Sequence, residues 1–444
     1  MSKPPPPVQT SVVAASTRSR VLAWALWDFG ATAVNAIAVT FVFSVYVTGT
    51  VGADLPGDTS PASWLGRALG ISGLVVALLA PATGVWVDAP VRRRRVLAAL
   101  TGMVVLLTAA MSLIRDDHRY LWPALVLLAC TSACSELATV PYNAMLRQIS
   151  TPANSGRISG FGLGLGYFGS VLALLVVYLG FISGTGETRG LLNLPAADGQ
   201  NVRAAMLLTA AWFALFALPL LISVPTATSE EPGERVSVLG AYRRLAAEVR
   251  GEWRRDRHFV YFLGASALFR DGLAGVFAFG AVIGVSVYGV SPADVLLFGV
   301  AASVVAAVGA VAGGHADDWL GSKRVIVLSL SAMITAGLTM VALSGVLAFW
   351  VCGLLLSLFI GPTLSASRTQ LLRMAAHGKE GVAFGLYTTT GRAVSFVAPW
   401  LFSLFIDIFD TDRAGMVGLC LVLALGLLAM LAVRAPHVRM PKKA

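Results

Sequence analysis

Residues Ser159 to Ser170 read SGFGLGLGYFGS, and within them Gly164, Gly166 and Gly169 fall on the G-x-G-x-x-G spacing that cradles a dinucleotide pyrophosphate. Two folds compete for this stretch. A nucleotide loop needs a strand before its first glycine and a solvent-facing helix start after its last. Here TPANSGR precedes it, and Ile158 to Ile182 is a run of 25 residues without a charge. Such a run crosses about 30 Å of hydrocarbon as a helix, so the glycines belong to a membrane span. At helical spacing Gly160 and Gly164 form one small-residue pair and Gly162 and Gly166 a second, with Gly169 continuing that second face. Faces of this kind let helices approach closely, so this helix is expected to press its glycines against a partner.

The rest of the chain agrees with a bilayer. Of 444 residues, 57% are apolar and 13% charged, and the mean hydropathy is +0.77, too oily for a soluble protein of this size. About twelve apolar runs are long enough to span, near 21–48, 62–87, 95–114, 120–146, 157–182, 203–224, 259–289, 293–314, 324–345, 347–374, 381–406 and 412–433. The expected fold is an all-α integral membrane protein of twelve transmembrane helices in two pseudo-symmetric six-helix bundles. Its expected divisions are a disordered cytoplasmic tail over 1–20, a first bundle over 21–224, a cytoplasmic linker over 225–258, a second bundle over 259–433 and a basic tail over 434–444.

Orientation follows from the positive charges. With both ends cytoplasmic, 24 of the 33 Lys and Arg residues fall in cytoplasmic tails and loops, 6 on the opposite side and 3 inside spans. The net charge of +10 then reflects topology and attraction to anionic lipid, and gives no reason to expect a nucleic-acid partner. The four cysteines lie within spans without histidines around them and read as packing residues, so neither a metal nor a cofactor is expected. In the linker, Val238, Tyr242, Leu245, Val249 and Trp253 recur at helical spacing with arginines on other faces, the pattern of a helix lying in the membrane interface.

The halves repeat each other. GVWVDAPVRRRRVL (Gly84 to Leu97) follows the second run and GHADDWLGSKRVIVL (Gly314 to Leu328) the eighth, with Asp88 and Asp317 separated by 229 residues. The fourth and tenth runs end in NAMLRQI and TQLLRMA, and the first and seventh carry ALWDFG and ALFRDG. A glycine, an aspartate and a basic cluster after the second helix of each six resemble the loop of the major facilitator superfamily. The resemblance implies that Gly84, Asp88, Arg94 and Arg95, and in the second half Gly313, Asp317, Lys323 and Arg324, form a conformational closure in which the Asp caps a neighbouring helix and the basic groups pair with acids. Ala89-Pro90-Val91 departs from the usual loop.

A closer resemblance covers most of the chain. WALWDFGATAVNAIAVTFVFSVYVT, VPYNAMLRQISTPANSGRISGFGLGLGYFGS, FLGASALFRDGL and SASRTQLLRMAAHGKEGVAFGLYTTTGRAVSFVAPWLF are similar to the autophagy-effluxer-like family of that superfamily. Its eukaryotic members are associated with amino-acid efflux from the vacuole, and bacterial members are mostly of unassigned substrate. The resemblance therefore implies transport, with amino acids as the first substrate class to try.

Ionisable groups in hydrocarbon cost at least a few kcal/mol each, so those inside spans are functional candidates. They are Asp28, Glu136, Asp271, Arg270, Arg368 and Arg392, three acids against three bases, which suggests buried pairing. An acid there can carry a coupling proton, with Asp28 and Glu136 ahead of Asp271 because Arg270 adjoins it. Either Arg368 or Arg392 can clamp a carboxylate or phosphate, or equally pair with Asp28 or Glu136 to hold the halves together. Asn35, Tyr142, Asn143, Gln370 and Tyr387 add polar groups for substrate or for helix contacts. No Walker loop, zinc signature or nucleophile elbow is present, so an enzyme is not expected. The reading is a monomeric, lipid-embedded secondary transporter of the cell membrane that moves a small molecule, with proton-coupled efflux of amino acids first. Drug export and a non-transporting receptor or lipid-handling scaffold are the alternatives.

Overall fold

The structure, a computed structural model, describes residues 7–56, 60–184, 186–223, 250–251, 254 and 256–434. Among them twelve helical stretches are long and apolar enough to cross a membrane. The helices are α1 (Pro7–Val34), α2 (Pro61–Val87), α3 (Pro90–Ala110), α4 (Leu121–Ala144), α5 (Ser155–Val177), α6 (Gln200–Ser223), α7 (Arg257–Ser286), α8 (Pro292–Leu320), α9 (Ser322–Ala342), α10 (Val346–Met374), α11 (Glu380–Val394), α12 (Val397–Phe409) and α13 (Asp412–Ala432). A helix meets its own backbone hydrogen-bonding needs where no water can. A two-residue pairing of β1 (Thr188–Arg189) with β2 (Leu194–Pro195) closes the connection from α5 to α6.

Local chemistry sets several starts. Ser60 and Ser291 accept from the backbone N–H groups of Ser63 and Asp294, each just before a proline at the first helical position, and Asp256 accepts from His258 N. Three features depart from the sequence reading. The tail expected to be disordered through Arg20 is helical from Pro7, continuous with the first span. That span runs on to Val51 through wider π-helical turns at Asn35–Phe41 and Val47–Val51. The eleventh span is broken between α11 and α12 at Ser395 and Phe396. The expected interfacial helix of the linker falls almost wholly outside the described residues.

The packing repeats with the sequence. In the first half α1 packs on α5 and α6, α2 on α4, and α3 on α4 and α6; in the second α7 packs on α11 and α13, α8 on α10, and α9 on α10 and α13. The halves meet chiefly along α5 against α8 and α2 against α11.

Candidate functional site

Each of the two crossings is made of small residues. A Cβ on Gly84 would stand 2.5 Å from Gly381 O, one on Gly385 would meet Ala80 O at 2.6 Å, and Thr389 Oγ1 donates to Ala77 O. In the other crossing Gly314 would meet Gly156 O at 2.5 Å, Gly160 faces Ala310, and Gly164 would meet Ala307 O at 2.9 Å. The positions correspond at constant spacing: Gly84, Ala80 and Ala77 to Gly314, Ala310 and Ala307, 230 residues on, and Gly156, Gly160 and Gly164 to Gly381, Gly385 and Thr389, 225 on. Backbones this close leave no room between the halves at the end carrying the duplicated loops. The stripe continues on α2 through Gly73, Gly70 and Gly66, yet at Gly70 and Gly66 an added Cβ would meet nothing within 4 Å, and the same holds at Gly299 on α8. The molecule is closed at the loop end and splayed at the far end.

This spacing corrects the assignment of the second loop. Gly314 and Asp318, rather than Gly313 and Asp317, occupy the places of Gly84 and Asp88. Asp88 accepts from Val382 N at the start of α11 (3.1 Å), and Asp318 accepts from Gly156 N (2.7 Å) and Arg157 N (3.1 Å) at the start of α5. Gly313 packs on Pro362 of its own half, and Asp317 accepts from Ser322, Thr369 and Arg373, also within the second half. Two neighbouring aspartates stand at the motif, and a one-residue difference in loop length decides between them. Burial pushes the Asp88 carboxyl up to about 7, against the opposing influence of the Val382 N–H, Lys379 and Arg93.

The arginine that matters in the first loop is also displaced. Arg95 is exposed and Arg94 half-buried, whereas Arg93 is 2% exposed. Arg93 donates to Val87 O and Ala144 O, each at 2.9 Å, and pairs with Glu380 at 3.4 Å. Glu380 also pairs with Arg147 at 2.6 Å, and Arg147 donates to Leu372 O and Ala375 O at the end of α10. Opposite, Arg373 pairs with Asp317 (2.6 Å) and Asp318 (3.6 Å) and donates to Ser155 Oγ. Lys323 donates to Leu431 O and Val433 O at the end of α13, and Arg324 is exposed. Sequence reasoning missed Glu380 because a lone acid at a span's end looks like an ordinary helix start.

Farther in, two acid–base pairs join the halves. Asp28 of α1 and Arg368 of α10 approach to 3.5 Å, and Thr32 Oγ1 donates to the other Asp28 oxygen at 3.3 Å. Among the described residues, Asp28 Oδ2, Arg368 Nη1, Tyr142 Oη and Asn143 Oδ1 are buried without a hydrogen-bond partner. Arg368 lies six residues before Met374, about 9 Å from the closed end. Glu136 of α4 pairs with Arg392 of α11, which lies about 18 Å from Glu380 at the same rise. Side-chain exposure is 11% and 16% for Asp28 and Arg368 against 30% and 31% for Glu136 and Arg392, so the deeper pair is covered and the other open to the splayed side.

The third pairing does not form. Arg270 lies 3.8 Å from the ring centroid of Tyr387 and donates to Tyr387 O, while Asp271 accepts from Ala398 N at 2.6 Å. Tyr387 Oη is 2.8 Å from Ser367 Oγ, next to Arg368. Tyr142 is sandwiched between Trp24 and Trp27, whose Nε1 atoms donate to Tyr142 O and Thr101 Oγ1. Asn143 and Gln370 are buried nearby in sequence, Gln370 donating to Met374 Sδ, whereas Asn35 is exposed at the start of a π-helical turn.

The glycines of α5 serve two partners. Gly160 and Gly164 face α8 of the other half, while Gly162, Gly166 and Gly169 face Trp24, Asp28, Thr32 and Phe29 of α1. A Cβ on Gly166 would stand 3.2 Å from Asp28 Cγ, so this helix forms a wall of the Asp28 site.

Twelve spans in two matched halves, with a charged closure at one end and ion pairs between the halves, make up the fold seen in transporters of the major facilitator superfamily. FucP of E. coli, a member solved in the outward conformation, superimposes with a TM-score of 0.69 at 12% identity over 94% of this chain and 99% of that one. The chain belongs to the vacuole effluxer Atg22-like family, which it matches over residues 57–441. An uncharacterized MFS-type transporter of Bacillus subtilis, YxiO, is 21% identical over 92% of this chain and 93% of its own length. Autophagy-related protein 22-1 of Aspergillus fumigatus is 25% identical over 63% of this chain and 48% of its own length, so the chain spans about half of that fungal relative.

Proposed function

We propose that this transporter is a proton-coupled exporter of amino acids or similar small zwitterions, working by alternating access in the cell membrane with its loop end and both termini cytoplasmic. The observation that carries the reading is the Asp28–Arg368 pair: an acid and a base from opposite halves, buried, whose Oδ2 and Nη1 stand 3.5 Å apart and make no hydrogen bond. A zwitterion complements both groups, its carboxylate on the Arg368 fork and its ammonium on Asp28. Each half supplies one contact, so binding is sensitive to how the halves are arranged, as alternating access requires. The Glu136–Arg392 pair lies on the path from the splayed side and acts as a second bridge. The likeness to effluxers motivates the direction of transport.

Drug export is the weaker reading, because the large aromatic cluster, Trp24, Trp27 and Tyr142, is buried inside the first half rather than lining a cavity. The test is purified protein in liposomes under an imposed pH gradient with radiolabelled amino acids, organic anions and drugs. Gradient-dependent movement of amino acids is expected. Movement of drugs alone overturns the substrate class, and no solute movement with background proton flux overturns the coupled-transport reading.

A further inference from the structure

Arg270 and Asp271 are adjacent on α7 yet serve opposite sides of the break in the eleventh span. Arg270 covers the Tyr387 ring and binds its carbonyl in α11; Asp271 accepts the Ala398 N–H in the first turn of α12. Asp271 is 5% exposed. Around it α13 presents Leu419, Val422 and Leu423 against Gly272 and Gly275, and α12 presents Ala398. The titratable groups of the neighbouring helices are engaged elsewhere: Arg392 of α11 with Glu136, Arg368 of α10 with Asp28, Tyr387 with Ser367 and Arg270, and Cys420 of α13 packed against Gly337 of α9. Of the three acids deep in the spans, Asp271 is therefore the one without a guanidinium, among the described residues.

We propose that Asp271 is the site that carries the coupled proton. Its ionised form fixes the α11–α12 break by accepting the Ala398 N–H in a charge-assisted hydrogen bond, and protonation weakens that hold and removes the buried charge. An ionised carboxylate in hydrocarbon with one backbone hydrogen bond and no counter-charge is costly to bury, so the group exchanges its charge for a proton as its surroundings change. The break is where this exchange has leverage. α11 carries the contacts with α2 of the other half, whereas α12 packs on α13 and α7 of its own half. A proton at Asp271 thus acts on the joint between the segment that closes the loop end and the segment anchored in the second half.

This inference rests on the proton-coupled reading above, and the test separates the two. Asparagine accepts a backbone N–H at a helix start about as well as aspartate but does not titrate. Infrared difference spectroscopy of the protein in lipid vesicles is expected to show a protonated-carboxyl component that vanishes as pH rises, is lost in Asp271→Asn and is retained in Asp28→Asn and in Asp88→Asn, the last separating it from the carboxyl of the loop end. In the liposome assay with a radiolabelled amino-acid mixture, Asp271→Asn is expected to lose its response to the pH gradient at a wild-type melting temperature, while Asp271→Ala, which also loses the cap, melts lower. Protonated-carboxyl intensity in Asp271→Asn equal to that of wild type at every pH, or pH-driven flux in that variant equal to wild type, overturns the proposal. If wild-type protein moves no label, the transport reading fails, and the infrared titration still decides Asp271.

Discussion

Arg368 and Asp28 come from opposite halves and approach without a hydrogen bond between them. Removing one member of a buried pair leaves the other charge uncompensated, typically at about 3–5 kcal/mol, so Arg368→Ala is expected to lower the melting temperature and abolish solute binding. Arg368→Lys keeps the charge but lacks the two-pronged fork. It is expected to melt near wild type and to lose the thermal shift that amino acids give the wild-type protein, which a shift assay over metabolites reads directly. Asp88 gives a pH prediction. Its carboxyl is pushed up to about 7 in the closed loop end, against about 3.9 when free in water, so the closed arrangement binds the proton more tightly. The resulting stabilisation is full below about pH 4 and is lost as pH rises through about 7. Distances between spin labels at Arg95 and Arg324 in a cysteine-free background should show the loop end opening across that window, and Asp88→Asn should remove that pH dependence. The pairing partner of each buried arginine was not legible in the sequence, since periodicity places a side chain on a face but not opposite a particular residue of another helix. Arg270 and Asp271 illustrate this: neighbours in sequence, they point to different pieces of the eleventh span.

Helix α5 shows what a span can announce about itself. Its glycine spacing marks a closely packed face, and the structure resolves that face into two, one on α1 and one on α8. Substitutions on them should therefore fail differently. A leucine at Gly160 meets the backbone of Ala310 and Gly314 in the other half, and overpacking of this kind costs about 1–3 kcal/mol. Because the clash exists only when the halves are closed, Gly160→Leu is expected to fold and to bias the protein toward an open loop end, read as a longer distance between the Arg95 and Arg324 labels. Gly166→Leu presses on Asp28 and Thr32 within its own half, so lower expression and lost transport are expected whatever the conformation. The break between α11 and α12 has a signal in Pro399, which has no N–H for Ser395 O and crowds that carbonyl, but the apolar run reads as one continuous span.

At the scale of the molecule, closure of the loop end depends on two charge clusters that are similar in place but not in composition. Glu380 holds Arg93 and Arg147 on one side, and Asp317 and Asp318 hold Arg373 on the other. Glu380→Gln leaves two arginines without their acid, and at about 3–5 kcal/mol for a broken buried pair the ratio of open to closed molecules is expected to rise by roughly two to four orders of magnitude. The same spin-label distances measure it; an unchanged distribution would show that the glycine contacts alone keep the end shut. The sequence by itself determined twelve spans, the duplication into halves and the positions of the charges inside them, because the cost of exposing backbone and charge to hydrocarbon acts on each segment independently of the rest. Only the tertiary structure decided that Gly314 and Asp318 take the places of Gly84 and Asp88, that Asp28 faces Arg368 and Glu136 faces Arg392, and that Asp271 has no ion-pair partner among the described residues. Those facts depend on the rotation and offset of one helix against another, which are set by packing across the whole assembly.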